Sequence, residues 1–143
     1  MSTPSTDEIR AHLSESRGFD SLVGLHLVSF SETEVLAEVP VRDEIKQPLG
    51  LVHGGVYASI AESIASMATA LAVLEKGEVA TGLSNATSFL RPITKGTIHA
   101  RAERVHRGRT TWVWDVSCTD DDGRLCALTR MTVAVRPAPA PAS

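Results

Sequence analysis

One acidic side chain stands alone in a long apolar stretch of the chain. Between Gly54 and Leu74, Glu62 is the only charged residue. An ionised carboxylate is costly to bury in an apolar helix unless it is paired, hydrogen-bonded or protonated. Ser66 follows four residues later on the same helical face, and a carboxylate beside a hydroxyl can orient water or attack a carbonyl carbon itself. Glu62 is therefore a candidate catalytic group, although an exposed helix face or a structural ion pair would also accommodate it.

A pair of glycines precedes this stretch. In the run His53-Gly54-Gly55 the glycines leave backbone N–H groups uncovered at a helix entry, where another molecule can approach closely. Such donors, reinforced by the helix dipole, suit a developing oxyanion. Tight turns before helices often use glycine, so the weight of this motif comes from Glu62 nine residues after His53 and Gln47 six residues before it.

Hydrophobic patterning predicts the elements that must position these residues. Residues 55–74 contain no proline and no internal glycine after the first position, and Lys76-Gly77 is a stop signal, so we expect a helix about 30 Å long. Alternating apolar residues predict strands around residues 35–41, 98–102, 112–118 and 125–135, with a less regular one at 79–90. Asp121-Asp122-Gly123 predicts the hairpin turn between the last two strands. The economical arrangement is an α+β fold in which an antiparallel sheet wraps around the helix and buries most of it.

Length and composition exclude several classes of function. A chain of 143 residues with a net charge of −3 fits one domain without a general attraction to nucleic acid or anionic membrane. The apolar helix is long enough to span a bilayer, but Glu62 and the many small polar residues argue against a membrane span. The polar N-terminus does not resemble a secretory signal, so we expect a cytoplasmic protein in which Cys118 and Cys126 are reduced and half-buried. The histidines show no ligand spacing, and no metal site is expected.

The chain divides into three predicted regions. Residues 1–18 form an N-terminal segment with a short helix at 7–16, capped by Ser5 or Thr6 and ended by Gly18. Residues 19–136 form the main domain. Residues 137–143 form a Pro/Ala-rich tail that we expect to be disordered.

The motif around Glu62 resembles a known family. Gln47-Pro48-Leu49-Gly50-Leu51-Val52-His53-Gly54-Gly55, followed by Ala61-Glu62-Ser63, is similar to hotdog-fold acyl-CoA thioesterases. Within them it resembles the branch of 4-hydroxybenzoyl-CoA and phenylacetate-pathway thioesterases, which carry a catalytic glutamate on the central helix. The similarity extends over residues 20–137.

The resemblance implies a role for each matching residue. Glu62 would be the nucleophile or the general base for water, the Gly54 N–H would polarise the thioester carbonyl with help from the Gln47 amide, and His53 would lie near the carbonyl and the departing sulfur. Ser66 would orient the hydrolytic water. The site would be shared across a dimer interface of a homotetramer built as a dimer of dimers. No cofactor is implied, since coenzyme A is part of the substrate.

Substrate preference and coenzyme A binding are predicted less directly. The resemblance implies an aromatic acyl group of the hydroxybenzoyl or phenylacetyl kind. Met67 stands where some 4-hydroxybenzoyl enzymes use an acid to contact the para-hydroxyl group, so a less polar or differently substituted aryl group is an equal alternative. Gly55 and Tyr57 are further candidates for contact with the acyl group. A medium-chain fatty acyl-CoA thioesterase and a non-catalytic acyl-CoA-binding protein are the alternatives. Trp112 and Trp114 are expected in a core or subunit interface. The candidates for binding the nucleotide phosphates are Arg91, Arg107, Arg109 and Thr110.

Overall fold

The computed structural model describes residues 18–140 together with Ser5, Asp7, Glu8, Ala11 and Ala142. Two helices, six strands and two 3-10 turns follow one another along the main part of the chain. They are α1 (Phe19–Val23), β1 (His26–Phe30), β2 (Glu34–Pro40), a turn at Asp43–Ile45, α2 (Gly54–Val73), a turn at Leu74–Lys76, β3 (Glu78–Phe89), β4 (Thr97–Arg107), β5 (Thr111–Thr119) and β6 (Leu125–Pro137).

The six strands form one antiparallel sheet in the order β1-β2-β4-β5-β6-β3. The long helix α2 packs on one face of this sheet, chiefly against β3 and β6. This arrangement confirms the expected hotdog fold. β3, with twelve residues, lies at one edge of the sheet and pairs only with β6 within the described chain.

The core lies between α2 and the sheet. Trp112 and Trp114 are fully buried there, as predicted, and the Trp114 indole donates a hydrogen bond of 2.9 Å to Thr69 Oγ1. Thr69 in turn donates to the Ala65 carbonyl oxygen at 2.9 Å, so the polar atoms of this pair are satisfied within the core. Cys118 and Cys126 are both free and more deeply buried than expected.

The structure near the two termini can be compared with the predicted N-terminal helix and C-terminal tail. Ser5 and Glu8 bond to each other's backbone N–H, at 2.6 Å and 3.2 Å, which is the reciprocal cap expected at a helix start. Asp7, Glu8 and Ala11 are helical, and the rest of the helix predicted at 7–16 lies outside the described residues. β6 runs through Pro137, one residue into the segment predicted as a tail, and the Ala138 N–H bonds to the Gly77 carbonyl oxygen at 2.9 Å.

The sheet buries less of α2 than expected, since most of the helix was predicted to be buried. The sheet covers one face of the helix, on which Ile60, Ile64 and Ala68 are buried, but Glu62 is exposed on the other side. The reason is geometric: the sheet contacts one side of the helix, and the other side carries Glu62 with small residues such as Gly55, Ser59 and Ser63. Its length and apolar composition would suit a membrane span, but half of its most apolar part is buried in the protein, as in the core helix of a water-soluble fold.

Candidate active site

The N-terminus of α2 presents one free backbone donor. His53 caps the helix: its Nδ1 atom accepts the Gly55 N–H at 2.9 Å, and its carbonyl oxygen accepts the Val56 N–H at 2.9 Å. Within residues 18–140, no acceptor is bonded to the Gly54 N–H. The first amides of a helix carry its positive dipole end, so the Gly54 N–H is placed to stabilise a negatively charged oxygen.

The same cap determines which tautomer the neutral His53 side chain adopts. Because Nδ1 accepts a hydrogen bond, the neutral imidazole carries its proton on Nε2. The side chain is exposed, so Nε2–H is available as a donor to a bound molecule. This is the form that can donate to a carbonyl oxygen or to a departing sulfur.

A cavity of about 490 Å³ lies beside Gly54. Gln47, Tyr57 and Arg91 line it. Gln47 Oε1 accepts the Leu49 N–H, so its amide NH2 group is left as a donor. The structure thus brings together Gln47 and Gly54, the two donors that the sequence predicted for one carbonyl oxygen.

Gly54 could not be replaced without moving its neighbours. A Cβ atom at this position would lie 2.9 Å from the Phe89 ring, which packs over the start of α2. Phe89 also contacts the Tyr57 ring, with centroids 6.4 Å apart. Phe89 is a component of the cavity wall that sequence reasoning did not identify, because nothing in the spacing of residues 79–90 shows that β3 ends beside the helix N-terminus.

Glu62 and Ser66 form a second group near the edge of the sheet. Gly82, at a bulge in β3, lies against both: a Cβ atom there would be 3.4 Å from Glu62 Oε1 and 3.8 Å from Ser66 Oγ. Ser66 Oγ is buried and has no hydrogen-bond partner among the described residues. Ser66 therefore keeps a free hydroxyl close to the carboxylate.

The other two serines of the predicted polar patch are occupied. Ser59 donates to the Gly55 carbonyl oxygen at 2.6 Å, the ordinary bond of a hydroxyl to the preceding helical turn. Ser63 donates to Asp20 Oδ1 at 2.5 Å and so ties α1 to α2. Asp20 was not identified from the sequence.

The donor group and the carboxylate group are separate within one subunit. Gly54 and Glu62 are eight residues apart on one helix, which is about 12 Å along its axis. Stabilisation of an oxyanion requires donors at about 3 Å. A molecule bonded to the Gly54 N–H would therefore not reach the Glu62 carboxylate of the same chain through the same atom.

Tyr57 and Met67 contact their surroundings mainly through apolar atoms. The Tyr57 hydroxyl is buried without a well-formed hydrogen bond in the described chain, and desolvation there raises its pKa. Tyr57 lines the cavity beside Gly54, and its ring contacts Phe89. Met67 is half-buried and packs against the core.

The structure does not gather the predicted phosphate ligands in one place. Arg91 lines the cavity beside Gly54. Arg107 and Arg109 line a cleft of about 290 Å³ near Lys76, beyond the opposite end of α2. Arg107 is also engaged, since it lies 3.6 Å from Glu32 and above the Trp112 ring.

Thr110 follows Arg109 in the β4–β5 turn. Its carbonyl oxygen accepts bonds from the Val135 N–H and the Arg136 guanidinium. These bonds fix the backbone of the turn. Within the described chain, no group of three or more His, Cys, Asp or Glu side chains is placed to hold a metal ion.

Comparison with known proteins agrees with the fold and with the superfamily that the sequence resembles. Residues 49–127 match the family described as the Thioesterase superfamily, and the chain belongs to it. PA1618 of Pseudomonas aeruginosa, named as an esterase, is 36% identical over 94% of this chain and 92% of its own. The crystal structure of a mutant of that protein, there called a thioesterase, superposes with a TM-score of 0.86 at 34% identity over 95% of this chain and 96% of that one. The 1,4-dihydroxy-2-naphthoyl-CoA hydrolase of Listeria monocytogenes is 32% identical over 83% of this chain and 96% of its own.

These similarities define the class of enzyme. The chain is a thioesterase that acts on thioesters of the acyl-CoA kind, and it has the six-stranded sheet and single long helix of its structural relatives.

Proposed function

We propose that the enzyme hydrolyses aromatic acyl-CoA thioesters, with Glu62 as the reacting carboxylate and Gly54 as the main oxyanion donor. The observation that carries this proposal is the free Gly54 N–H at the positive end of α2, which lies in a cavity beside the donor group of Gln47. A backbone amide in this position stabilises charge that develops on a carbonyl oxygen during acyl transfer.

The chemistry follows from these donors and the carboxylate. If water is the nucleophile, Glu62 takes its proton, hydroxide adds to the carbonyl carbon, and the C–S bond breaks. If Glu62 attacks directly, an anhydride forms as the thiolate leaves, and water then hydrolyses it. Ser66, whose hydroxyl is free, would hold the water, and the Nε2–H of His53 would donate to the departing sulfur.

A second subunit would complete the site. We infer a dimer in which β3 meets β3 of the partner and each Glu62 faces the partner's helix N-terminus. Two observations support it: β3 is a long edge strand with exposed apolar side chains, including Leu83 at 57% and Phe89 at 59% exposure, and Glu62 lies beside β3 at Gly82. Long exposed edge strands favour pairing with another chain. We extend this to the tetramer expected from the resemblance.

One relative supports an aromatic acyl group, namely the 1,4-dihydroxy-2-naphthoyl-CoA hydrolase named above. The proofreading thioesterase EntH of Klebsiella pneumoniae, 35% identical over 69% of this chain, supports thioesterase activity. Met67, at the position where some 4-hydroxybenzoyl enzymes use an acid, supplies no charged acceptor for a para-hydroxyl group. We also expect a cytoplasmic location, where thiols such as Cys118 and Cys126 remain reduced.

Replacing the carboxylate tests the proposal. Glu62→Gln keeps the size of the side chain but removes the charge, so kcat should fall at least about a hundredfold while binding of a CoA ester survives. Thiol release from benzoyl-CoA and phenylacetyl-CoA, with binding measured by calorimetry, gives both quantities. The matched control is Glu75→Gln, an exposed carboxylate beyond the other end of α2 that should leave turnover unchanged. Full turnover by Glu62→Gln would remove this residue from the mechanism.

Arginine replacements test recognition of the nucleotide. Arg91→Ala should raise KM for CoA esters about tenfold and leave KM for a short thioester without the nucleotide unchanged, because a lost guanidinium–phosphate contact affects only the longer substrate. Arg109→Ala should raise KM for CoA esters in the same way only if the cleft that contains Arg109 in a second subunit lies beside the bound nucleotide. Equal effects on both substrates would argue against a phosphate contact.

A further inference from the structure

A second cavity, of about 530 Å³, lies on the other side of the helix N-terminus. It is lined by His53, Gly55 and Ser59 of the entry to α2 on one side, and by Phe19 and Leu22 of α1 on the other. The lining is mainly apolar where α1 forms it. This cavity has no role in the chemistry described so far.

The cavity continues toward the carboxylate. A neighbouring space of about 400 Å³ is lined by Glu62, Ser63 and Asp20. The two spaces share Phe19 and Ser59, so they adjoin beside α1 on the exposed side of α2, and together they are called the α1 groove, with His53 at one end and Glu62 at the other. It touches both ends of the proposed catalytic machinery.

Polar contacts hold α1 over this groove. Arg42 donates hydrogen bonds to the Val23 carbonyl oxygen at 2.7 Å and to the Leu22 carbonyl oxygen, at the C-terminal end of α1. Asp20 accepts from Ser63 of α2 at 2.5 Å. A five-residue helix is too short to be stable alone, so these contacts determine where its side chains lie.

Phe19 and Leu22 are nevertheless exposed, at 59% and 70%. Their helix is anchored through its backbone and Asp20, while their apolar side chains are left at the groove rather than packed in the core. An apolar wall beside a reaction centre, held by a fixed scaffold, is the arrangement expected of a binding pocket.

We propose that α1 forms the wall of the acyl pocket, with Phe19 and Leu22 selecting bulky apolar acyl groups and Arg42 acting as a positioning residue. This inference rests on the proposed function and names the part of the enzyme that determines its substrate class. The acyl group would extend from a thioester carbonyl beside Glu62 into the groove beneath α1 of the same subunit, while the partner subunit would supply the oxyanion donor.

The selectivity of wall variants tests this assignment. Phe19→Ala and Leu22→Ala should each lower the ratio of kcat/KM for benzoyl-CoA to that for acetyl-CoA about tenfold, the size expected when an apolar pocket loses contact with its ligand. Leu128→Ala removes a similarly exposed side chain from β6 and should leave the ratio unchanged. A ratio within twofold of wild type in both wall variants would overturn the assignment.

Arg42 variants separate positioning from simple loss of stability. Arg42→Ala should lower the benzoyl-to-acetyl ratio mainly through KM for the bulky ester, and Arg42→Lys should restore it only in part because lysine cannot bond both carbonyl oxygens in the same fork geometry. Equal loss of kcat/KM for both esters would show a structural role only.

A measurement of oligomeric state tests whether a second copy of the chain, rather than an acyl group, occupies the groove. If a second copy of the chain covered Phe19 and Leu22, their alanine variants would shift the mass measured by light scattering without changing selectivity, and the proposal would be overturned. If wild-type enzyme hydrolysed none of the CoA esters, the proposed function itself would fail, which is a different result.

Discussion

Ser66 differs from the other serines on the exposed side of α2 because its hydroxyl has no hydrogen-bond partner in the described chain. Ser59 lies three residues before Glu62 and Ser63 lies one residue after it, and both are bonded within the fold. Spacing places hydroxyls on one helix face, but it does not show which of them are occupied. This distinction required the positions of Gly55 and Asp20.

The same reasoning applies to Glu62. The sequence shows Glu62 as the single charged residue in an apolar helix, and this pattern predicted that its face of the helix carries a catalytic group. It did not show that the face is exposed in one subunit, because exposure depends on which side of α2 the sheet covers.

A hydroxyl without a structural bond can be removed at little cost to folding. Ser66→Ala should therefore leave the melting temperature within about 2 °C of wild type but lower kcat about tenfold or more, since water would lose its orienting group. Ser66→Thr keeps the hydroxyl and should retain most of the activity. Thermal unfolding and thiol release measure the two effects. A large loss of stability in Ser66→Ala would show that the hydroxyl has a structural role instead.

At the level of elements, periodicity was a reliable guide where strands are long. Every second residue is buried from Trp112 to Cys118 in β5, and the predicted strand matches it. In β4 the alternation holds only from Ile98 to Ala102, so the prediction missed the second, mostly exposed half of the strand, which ends at Arg107. β1 was not predicted because in five residues only Leu27 is buried, which is too little alternation to recognise. α1 was also missed, since its position depends on Arg42 and Ser63, which are distant in the sequence.

One ion pair on the sheet has a defined pH dependence. Arg130 of β6 bonds both carboxylate oxygens of Asp115 in β5, at 2.8 Å each, and this hydrogen bonding holds the pKa of Asp115 below its ordinary value of 3.8. A lowered pKa in the folded state means that the pair stabilises the fold above the unfolded pKa and that this contribution is lost as pH falls through the folded pKa.

Asp115→Asn should therefore lower the melting temperature at pH 7 by only about 1–3 °C, because the pair is largely exposed. The gap between wild type and variant should stay constant above about pH 5 and close as the pH falls below 3.8. Melting curves from pH 2.5 to pH 7 measure this gap. A gap that persists unchanged at the lowest pH would mean that packing, rather than ionisation, explains the loss.

For the whole molecule, the decisive feature is the separation of the two halves of the site. Gly54 and Glu62 are about 12 Å apart along α2, and Glu62 lies beside the edge strand β3 where a partner could pair. The sequence alone indicated a shared site only through resemblance to a family. The structure supports the proposed sharing with a physical argument, which is that residues eight positions apart on one helix do not both reach one carbonyl carbon.

Mixing two inactive variants tests this account most directly. Glu62→Gln disables the carboxylate, and Gly54→Ala disables the donor end because its Cβ would collide with Phe89. If the two groups come from different subunits, a mixed dimer contains one intact site and one doubly altered site. Equal amounts of the two variants, unfolded and refolded together, should then regain about a quarter of the wild-type thiol release, while each refolded alone stays inactive. Mixed dimers, confirmed by mass, that remain as inactive as either variant would contradict the account.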